Sequence, residues 1–239
     1  MKKILLLISF IIAIIIVSVL ITGILANKTE KEITHKKLQE DLEKIIKVPV
    51  ICQHPTLPTG CEAVAATMVL QYYAVDITPD FFAENWLESS ESFYYSGGEL
   101  YGPDPNEVFA GNPFSKYSYG CYCMPIVKAI NANSTDCTAK VIAGTLEEFC
   151  KEYISVGKPI LIWATMGMKE SKTGRSWYLQ NGSHFTWIAG EHCLVLVGYS
   201  KDYYYLNDPQ TGNTVAYPKE TVEKRYKELG SQAVYICRK

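Results

Sequence analysis

The sequence predicts an α+β domain in which a helix that begins at a cysteine packs on an antiparallel sheet that carries a histidine and an acid. Two observations support it. A long apolar run of helix formers starts at Cys61, directly after Thr59 and Gly60. A buried strand pattern starts at His192, and a second strand pattern follows a short turn and ends at Asp208.

Composition limits the classes of function. The chain has 239 residues, 48% of them hydrophobic and 20% charged, which is enough apolar material for a substantial core. The formal net charge is −2, so there is no excess of basic residues to hold a phosphate backbone. We therefore expect no nucleic-acid partner.

An N-terminal apolar run precedes the soluble part. Residues 4–26 follow the short flank of residues 1–3 and carry no charge, and at 1.5 Å per residue they can span about 30 Å of hydrocarbon. The run exceeds the usual length of a cleaved signal, so we expect an uncleaved signal anchor. A cleaved signal and a buried core helix are the alternatives. The expected location is the cell membrane, single-pass, with the following domain extracytoplasmic.

The rest of the chain divides into two segments. Residues 27–47 are charged, with apolar residues at roughly helical spacing, which predicts a short stalk. Residues 48–239 show no internal repeat and no second apolar run of this length, which predicts one domain.

The start of the cysteine helix suggests a nucleophile. Thr59 with Glu62 matches a T-x-x-E capping box, so Cys61 is expected in the first turn, where backbone N–H groups and the helix dipole lower a thiol pKa. Gln53 could complete an oxyanion hole with the Cys61 N–H, and Val48–Cys52 could form a short strand. The alternatives are that Cys61 is a small core residue and that Gln53 is a surface glutamine.

The strand pair suggests the base. A turn near Ser200 places His192 directly opposite Asp208, where the carboxylate can fix the imidazole tautomer. A structural histidine and a turn acid are the alternatives. His184 and His54 are weaker candidates for the base, because both lie in predicted loops.

Further elements complete the α+β prediction. Thr145 with Glu148 predicts a second capping box, on a helix that ends near Gly157. We also expect a cleft-bordering or surface loop over residues 89–102, a strand over Ile160–Ala164, a helix over Lys219–Leu229 and a strand over Gln232–Cys237.

The other cysteines give no metal signal. Cys121 and Cys123 form a C-x-C without a second ligand pair, so we expect neither a metal nor a cofactor. Cys137 and Cys150 are candidates for a disulfide, with partners left open, and Cys193 and Cys237 are expected in buried strands.

Several sequence blocks together resemble a known family. They are Val48–Gln53, Leu57–Ala63, His192–Tyr199 and Asn207–Pro209, with supporting segments at 104–120, 145–160, 226–230 and 233–236. They are similar to the stand-alone bacterial branch of the papain-like cysteine peptidases of the bacteriocin-leader-processing type, over residues 48–239. The resemblance implies a papain-like fold with Cys61 as nucleophile, His192 as general base, Asp208 as its orienter and Gln53 as oxyanion donor.

These observations predict a membrane-tethered cysteine peptidase that acts on a peptide or protein. A phosphate-binding G-x-x-x-x-G-K-[ST] motif does not occur, so we expect no nucleotide partner. Two alternatives stay open: a transpeptidase or amidase that uses the same acyl-enzyme, and a catalytically silent peptide-binding module of the same fold.

Overall fold

The computed structural model describes residues 18, 21–25, 28, 29, 31 and 43–239. The chain divides into two compact units, Met1–Glu43 and Lys44–Lys239, and the elements below belong to the second. Most of the predicted anchor (residues 4–26) and much of the predicted stalk (residues 27–47) lie outside the described residues. Within the residues that are described, no helix is both long and apolar enough to cross a membrane.

The longer helices of the second unit pack against strands of the main sheet. The helices are α1 (Cys61–Tyr72), α2 (Pro79–Phe81), α3 (Cys123–Asn133), α4 (Leu146–Glu152) and α5 (Lys219–Glu228). A π-helical turn covers Phe82–Trp86, and 3₁₀ turns cover Ile154–Val156 and Met166–Met168. The predicted capping box of α4 is confirmed, with Thr145 and Glu148 bonded reciprocally. The helix ends at Glu152, and the following 3₁₀ turn stops at Gly157, whose φ is +79°.

The strands of the second unit form two larger sheets and one two-stranded pair. They are β1 (Lys44–Ile45), β2 (Ser89–Ser90), β3 (Tyr94–Ser96), β4 (Glu99–Tyr101), β5 (Phe109–Ala110), β6 (Cys137–Ile142), β7 (Ile160–Thr165), β8 (Lys172–Tyr178), β9 (His184–Ala189), β10 (Glu191–Tyr199), β11 (Tyr203–Asp208), β12 (Asn213–Pro218) and β13 (Ala233–Arg238).

The main sheet is antiparallel throughout, as predicted. Its order is β12-β11-β10-β7-β13-β6, and β1 also pairs with β10. A second sheet has the order β3-β4-β8-β9, and β2 pairs with β5 separately. The predicted strands over 160–164 and 232–237 correspond to β7 and β13, and the predicted helix over 219–229 corresponds to α5.

Helix α1 packs against β10 and places the cysteine beside the sheet. Its residues Cys61–Leu70 are all buried, which explains why the sequence there is a continuous apolar run without a polar stripe. On the other side of the contact, β10 is buried from Glu191 to Gly198. The predicted α+β arrangement, a helix with an N-terminal cysteine on an antiparallel sheet, is therefore confirmed.

The structure differs from the sequence predictions in several segments of the second unit. Val48–Cys52 is irregular rather than a strand, and the predicted loop over residues 89–102 contains β2, β3 and β4. The main sheet begins at Lys44, within the segment predicted as stalk, because Lys44 and Ile45 pair with Tyr199 and Gly198.

Candidate active site

Cys61 is the first residue of α1, but the predicted capping box is wrong. The N-cap is Gly60, which has no side chain to cap the helix. Thr59 instead donates its hydroxyl to the Ser115 carbonyl at 2.9 Å. Glu62 turns inward and accepts the Cys121 N–H at 2.5 Å. Both side chains find partners more than fifty residues away, and these contacts replace the local box.

The Cys61 thiol lies between α1 and β10. Its Sγ donates to Glu62 Oε2 at 3.3 Å and accepts the backbone N–H of Cys193 at 3.5 Å. The side chain is buried, with 5% of its surface exposed. Cys193 directly follows His192 on β10, so this contact places the sulfur beside the strand that carries the histidine.

His192 and Asp208 are in contact, as the sequence predicts. His192 Nε2 and Asp208 Oδ1 are 2.7 Å apart, and both side chains are buried. The register differs from the prediction, because Val195 pairs with Asn207 and a bulge follows between Leu196 and Gly198. Asp208 therefore reaches His192 diagonally across the strand pair and not from the directly opposite position. The diagonal contact is possible because residues two apart on one strand point to the same face of the sheet.

The second ring nitrogen of the histidine is available for proton exchange. Within the described residues, His192 Nδ1 is buried and has no hydrogen-bond partner. A histidine held through Nε2 by a carboxylate presents Nδ1 as the atom that can accept a thiol proton.

Hydrogen bonds hold Asp208 in its ionised form. Burial raises its pKa, but the bonds from His192 and from the backbone N–H groups of Gln210 and Thr211 outweigh burial, so the pKa lies below its usual range. The Gln210 N–H reaches the same oxygen, Oδ1, at 2.8 Å. The acid is therefore fixed by the backbone as well as by the imidazole.

Gln53 lies beside the same loop. It is 3% exposed, and its backbone N–H donates to the Pro209 carbonyl at 2.9 Å, next to Asp208. Its side-chain Nε2 donates to the Pro58 carbonyl at 2.9 Å, and its Oε1 is unpaired within the described residues. The alternative of a surface glutamine is wrong.

The family assignment follows from comparison with known proteins. The sequence model of the Peptidase_C39 like family matches residues 45–234, which include Cys61, His192 and Asp208. The chain belongs to this family. The uncharacterized protein YvpB of Bacillus subtilis (strain 168) is 31% identical over 187 residues, covering 76% of this chain and 70% of that protein.

Two solved structures resemble this C39-like chain. One, from Bacillus anthracis, carries the provisional description C39-like peptidase; it has a TM-score of 0.71, is 27% identical, and covers 82% of this chain and 98% of its own. The other is the peptidase domain of Streptococcus ComA, a bi-functional ABC transporter involved in a quorum-sensing pathway. Its TM-score is 0.50 at 12% identity, over 80% of this chain and 99% of its own, which shows a shared fold alone.

The predicted low pKa of the nucleophile thiol is wrong for this C39-like site. Burial raises the pKa of the Cys61 thiol well above its usual range, and the neighbouring carboxyls of Glu62 and Glu191 raise it further. The hydrogen bond from the Cys193 N–H lowers the pKa but does not offset these effects. A thiolate at Cys61 therefore depends on proton transfer to a base and on the charge state of the two acids.

Local sequence patterns do not identify these two acids as neighbours of the thiol. They predict Glu62 as part of a helix cap and assign no position to Glu191, although an acid at the start of a buried strand pattern indicates a buried polar contact. Ligand atoms of Cys61, Glu62 and Glu191 lie within 4.8 Å of one another, which is close enough for one ion. Glu62 already has a hydrogen-bond partner on each carboxyl oxygen, so its position is explained without a metal.

The other candidate bases lie elsewhere. His184 begins β9 and is exposed, with its ring against Tyr178. His54 is exposed in the loop before α1. His192 is the histidine whose neighbour Cys193 contacts the sulfur.

A cleft borders the segment that contacts Thr59. Its volume is about 330 Å³, and its lining includes Ser115, Tyr119, Phe93, Tyr95 and Arg175. Ser115 belongs both to this lining and to the contact with Thr59, two residues before Cys61. The cleft is therefore adjacent to the loop that leads into Cys61.

Proposed function

We propose that this chain is a cysteine peptidase that hydrolyses peptide bonds through a thioester on Cys61. The observation that carries the proposal is the arrangement along β10. The Cys61 sulfur contacts the N–H of Cys193, and the adjacent His192 is held at Nε2 by Asp208 with Nδ1 unpaired in the described part of the chain. Membership of the Peptidase_C39 like family supports the same chemistry.

The reaction has two halves. His192 Nδ1 takes the thiol proton as Cys61 Sγ attacks the carbonyl carbon, and the resulting imidazolium then protonates the leaving amine. A water molecule next loses a proton to Nδ1 and attacks the thioester, which releases the acid and returns the proton to sulfur. Asp208 keeps the ring oriented and stabilises its positive charge in both halves.

The carbonyl oxygen needs hydrogen-bond donors when it becomes negative. The Cys61 N–H is one, because the first N–H groups of a helix lack an intrahelical acceptor. Gln53 is the second. Its Nε2 carries two hydrogens, of which the bond to the Pro58 carbonyl needs one. Its backbone bond to Pro209 fixes it relative to the acid.

We assign the cleft beside Ser115 to a side chain of a peptide or protein substrate. Its lining combines aromatic rings, among them Phe93, Tyr95 and Tyr119, with the charged side chain of Arg175, and it lies next to the loop that leads into Cys61. Aromatic rings and a polar group together can contact both the apolar and the polar parts of a substrate side chain.

The test is cleavage of a mixed peptide library by the purified full chain, with products read by mass spectrometry. We expect defined products and a transient acyl adduct on Cys61. Products should be lost in Cys61→Ala and His192→Ala. Cys52→Ala is the matched control, because the Cys52 thiol is exposed, and this variant should cleave normally.

The remaining outcomes separate the alternatives. New amide products when an amine is added would replace the hydrolase proposal with a transpeptidase. Cleavage that persists in Cys61→Ala would refute it. Peptide binding without any acyl adduct would identify a catalytically silent module.

We also propose that residues 4–26 anchor the enzyme in the cell membrane, with the catalytic domain extracytoplasmic. The support is the uncharged apolar run and the long domain after it. Cells that express the full chain should retain it in the membrane fraction, and protease added to intact spheroplasts should digest the domain. Recovery of the whole chain in the soluble fraction would contradict the anchor.

A further inference from the structure

Two buried carboxyls beside the candidate nucleophile have no role in the reaction proposed above. Glu62 is fully buried, and its Oε2 lies 3.3 Å from Cys61 Sγ. Glu191 is 7% exposed, and its Oε1 is unpaired within the described residues. A Cβ built on Gly120 would meet Glu62 Oε1 at 2.5 Å and Glu191 Oε2 at 3.0 Å, so the two acids converge on one point.

These acids conflict with the nucleophile if they are ionised. A carboxylate 3.3 Å from sulfur opposes a thiolate strongly, since little water screens the two charges in a buried site. The conflict disappears if Glu62 is neutral. A neutral carboxyl at this distance can also donate its O–H to the thiolate, which stabilises it.

We propose that Glu62 is a further catalytic residue, a neutral carboxylic acid whose O–H donates a hydrogen bond to the Cys61 thiolate. The bond from the Cys121 N–H to Oε1 keeps Oε2 directed at the sulfur. Glu191 supports the neutral form, because two carboxyls this close do not both ionise readily. This inference rests on the proposed peptidase chemistry.

The proton inventory is balanced. The thiol proton moves to His192 Nδ1, and Glu62 keeps its own proton and turns it toward the sulfur. The bond observed from the thiol to Oε2 then reverses its direction without moving either heavy atom. When Glu62 loses its proton, the sulfur faces a carboxylate and retains the thiol form.

The surroundings indicate which group titrates near neutral pH. Glu62 is faced by Cys61 on α1, by Cys121 on the segment before α3, and by Glu191 and Cys193 on β10. Tyr122 faces Glu191. Burial raises the pKa of the Cys121 and Cys193 thiols and of the Glu191 carboxyl well above their usual ranges, and Glu62 opposes the ionisation of all three.

Glu62 itself titrates within the working range. Burial raises its pKa to about 7, although hydrogen bonds from backbone N–H groups act in the opposite direction. The reactive state of Cys61 should therefore be lost as the pH rises above about 7.

The experiment measures the thiol rather than turnover. The full chain is alkylated with iodoacetamide from about pH 5 to about pH 9, and the rate at Cys61 is read by peptide mass spectrometry. We expect the wild-type rate to fall above about 7. In Glu62→Gln, a neutral donor at every pH, the fall should be absent, and one pH unit above the Glu62 pKa the variant should react about tenfold faster than wild type.

The remaining variants separate the hydrogen bond from the charge. Glu62→Ala, which has no donor, should react more slowly than Glu62→Gln at neutral pH. Glu170→Gln is the matched control, because Glu170 is exposed, and it should keep the wild-type profile. Equal rates in the Ala and Gln variants, or a Gln variant that keeps the wild-type fall, would overturn the proposal.

Two further measurements keep the outcomes distinct. A wild-type profile without a fall near 7 overturns the proposal even if the Glu62 variants do not fold. His192→Ala tests the peptidase proposal separately: if Cys61 reactivity is independent of His192, the nucleophile–base pair fails whatever the Glu62 variants show. If His192→Ala lowers Cys61 reactivity but the Glu62 variants keep the wild-type pH profile, the peptidase proposal stands and this inference is overturned.

Discussion

Replacement of Asp208 by Asn should lower the activity far less than replacement by Ala. Asp208 Oδ1 accepts from two groups, His192 Nε2 at 2.7 Å and the Gln210 N–H at 2.8 Å. The backbone N–H is a donor only, so it selects the amide oxygen of an asparagine at this position. That oxygen can still accept from the ring, and the tautomer with a free Nδ1 is retained.

The size of each effect follows from what is lost. Asn removes the negative charge but keeps both bonds, and the difference between a charged and a neutral hydrogen bond is about 1 to 2 kcal/mol. If that is lost from the transition state, the rate falls about 5- to 30-fold. Ala breaks a buried pair, which costs about 3 to 5 kcal/mol, or about 200- to 5,000-fold in rate.

The assay is kcat/KM on a library peptide that the wild type cleaves, measured for both variants with the folded fraction checked by circular dichroism. The expected order is wild type, then Asn, then Ala. If Asn is as inactive as Ala, the charge rather than the fixed acceptor orients His192, and the reasoning from the Gln210 contact is refuted.

Three further predictions concern stability. Gly120→Ala forces a Cβ against Glu62 Oε1 at 2.5 Å, so we expect a loss of about 1 to 3 kcal/mol and a melting temperature lower by roughly 2–4 °C per kcal/mol; an unchanged melt contradicts this. Thr145→Ala removes the α4 cap and should cost about 1 kcal/mol in chemical unfolding, whereas Thr145→Ser should cost little. Because the Asp208 pKa is lowered on folding, its contribution to stability is complete above the unfolded pKa and is lost as the pH falls through the folded pKa. Urea unfolding of Asp208→Asn should therefore depend less on acid pH than that of wild type, and equal dependence would contradict it.

Local patterns predicted the elements of the site better than its long-range contacts. The β10–β11 hairpin and the contact between His192 and Asp208 were predictable because both strand patterns and the turn between them are close in sequence. The register was not, because the bulge between Leu196 and Gly198 leaves no clear mark in an apolar run. A register shift of two residues leaves each side chain on the same face of the sheet, so His192 and Asp208 are in contact although the predicted register is wrong.

The hydrogen bonds at the start of α1 could not be predicted from the local sequence. Thr59 and Glu62 fit a capping box, yet each bonds to a segment that folds back from beyond residue 110. The predicted thiol pKa failed for the same reason, since burial and Glu191 are properties of the assembled core. The sheet of β3, β4, β8 and β9 was also missed: β8 (Lys172–Tyr178) carries mostly polar residues on an exposed surface, so its pattern is weak.

The pairing of β1 with β10 bears on where the chain can be shortened. His192 is near the start of β10, and Lys44 pairs with Tyr199 at its other end, seven residues and roughly 23 Å away at 3.3 Å per residue. β1 therefore pairs with the end of β10 that lies farthest from His192. A fragment that starts at Val48 loses β1 and uncovers the backbone N–H and C=O groups of Gly198 and Tyr199, an open strand edge that can pair with another molecule. A fragment that starts before Lys44 keeps that edge covered and is better suited to crystallisation.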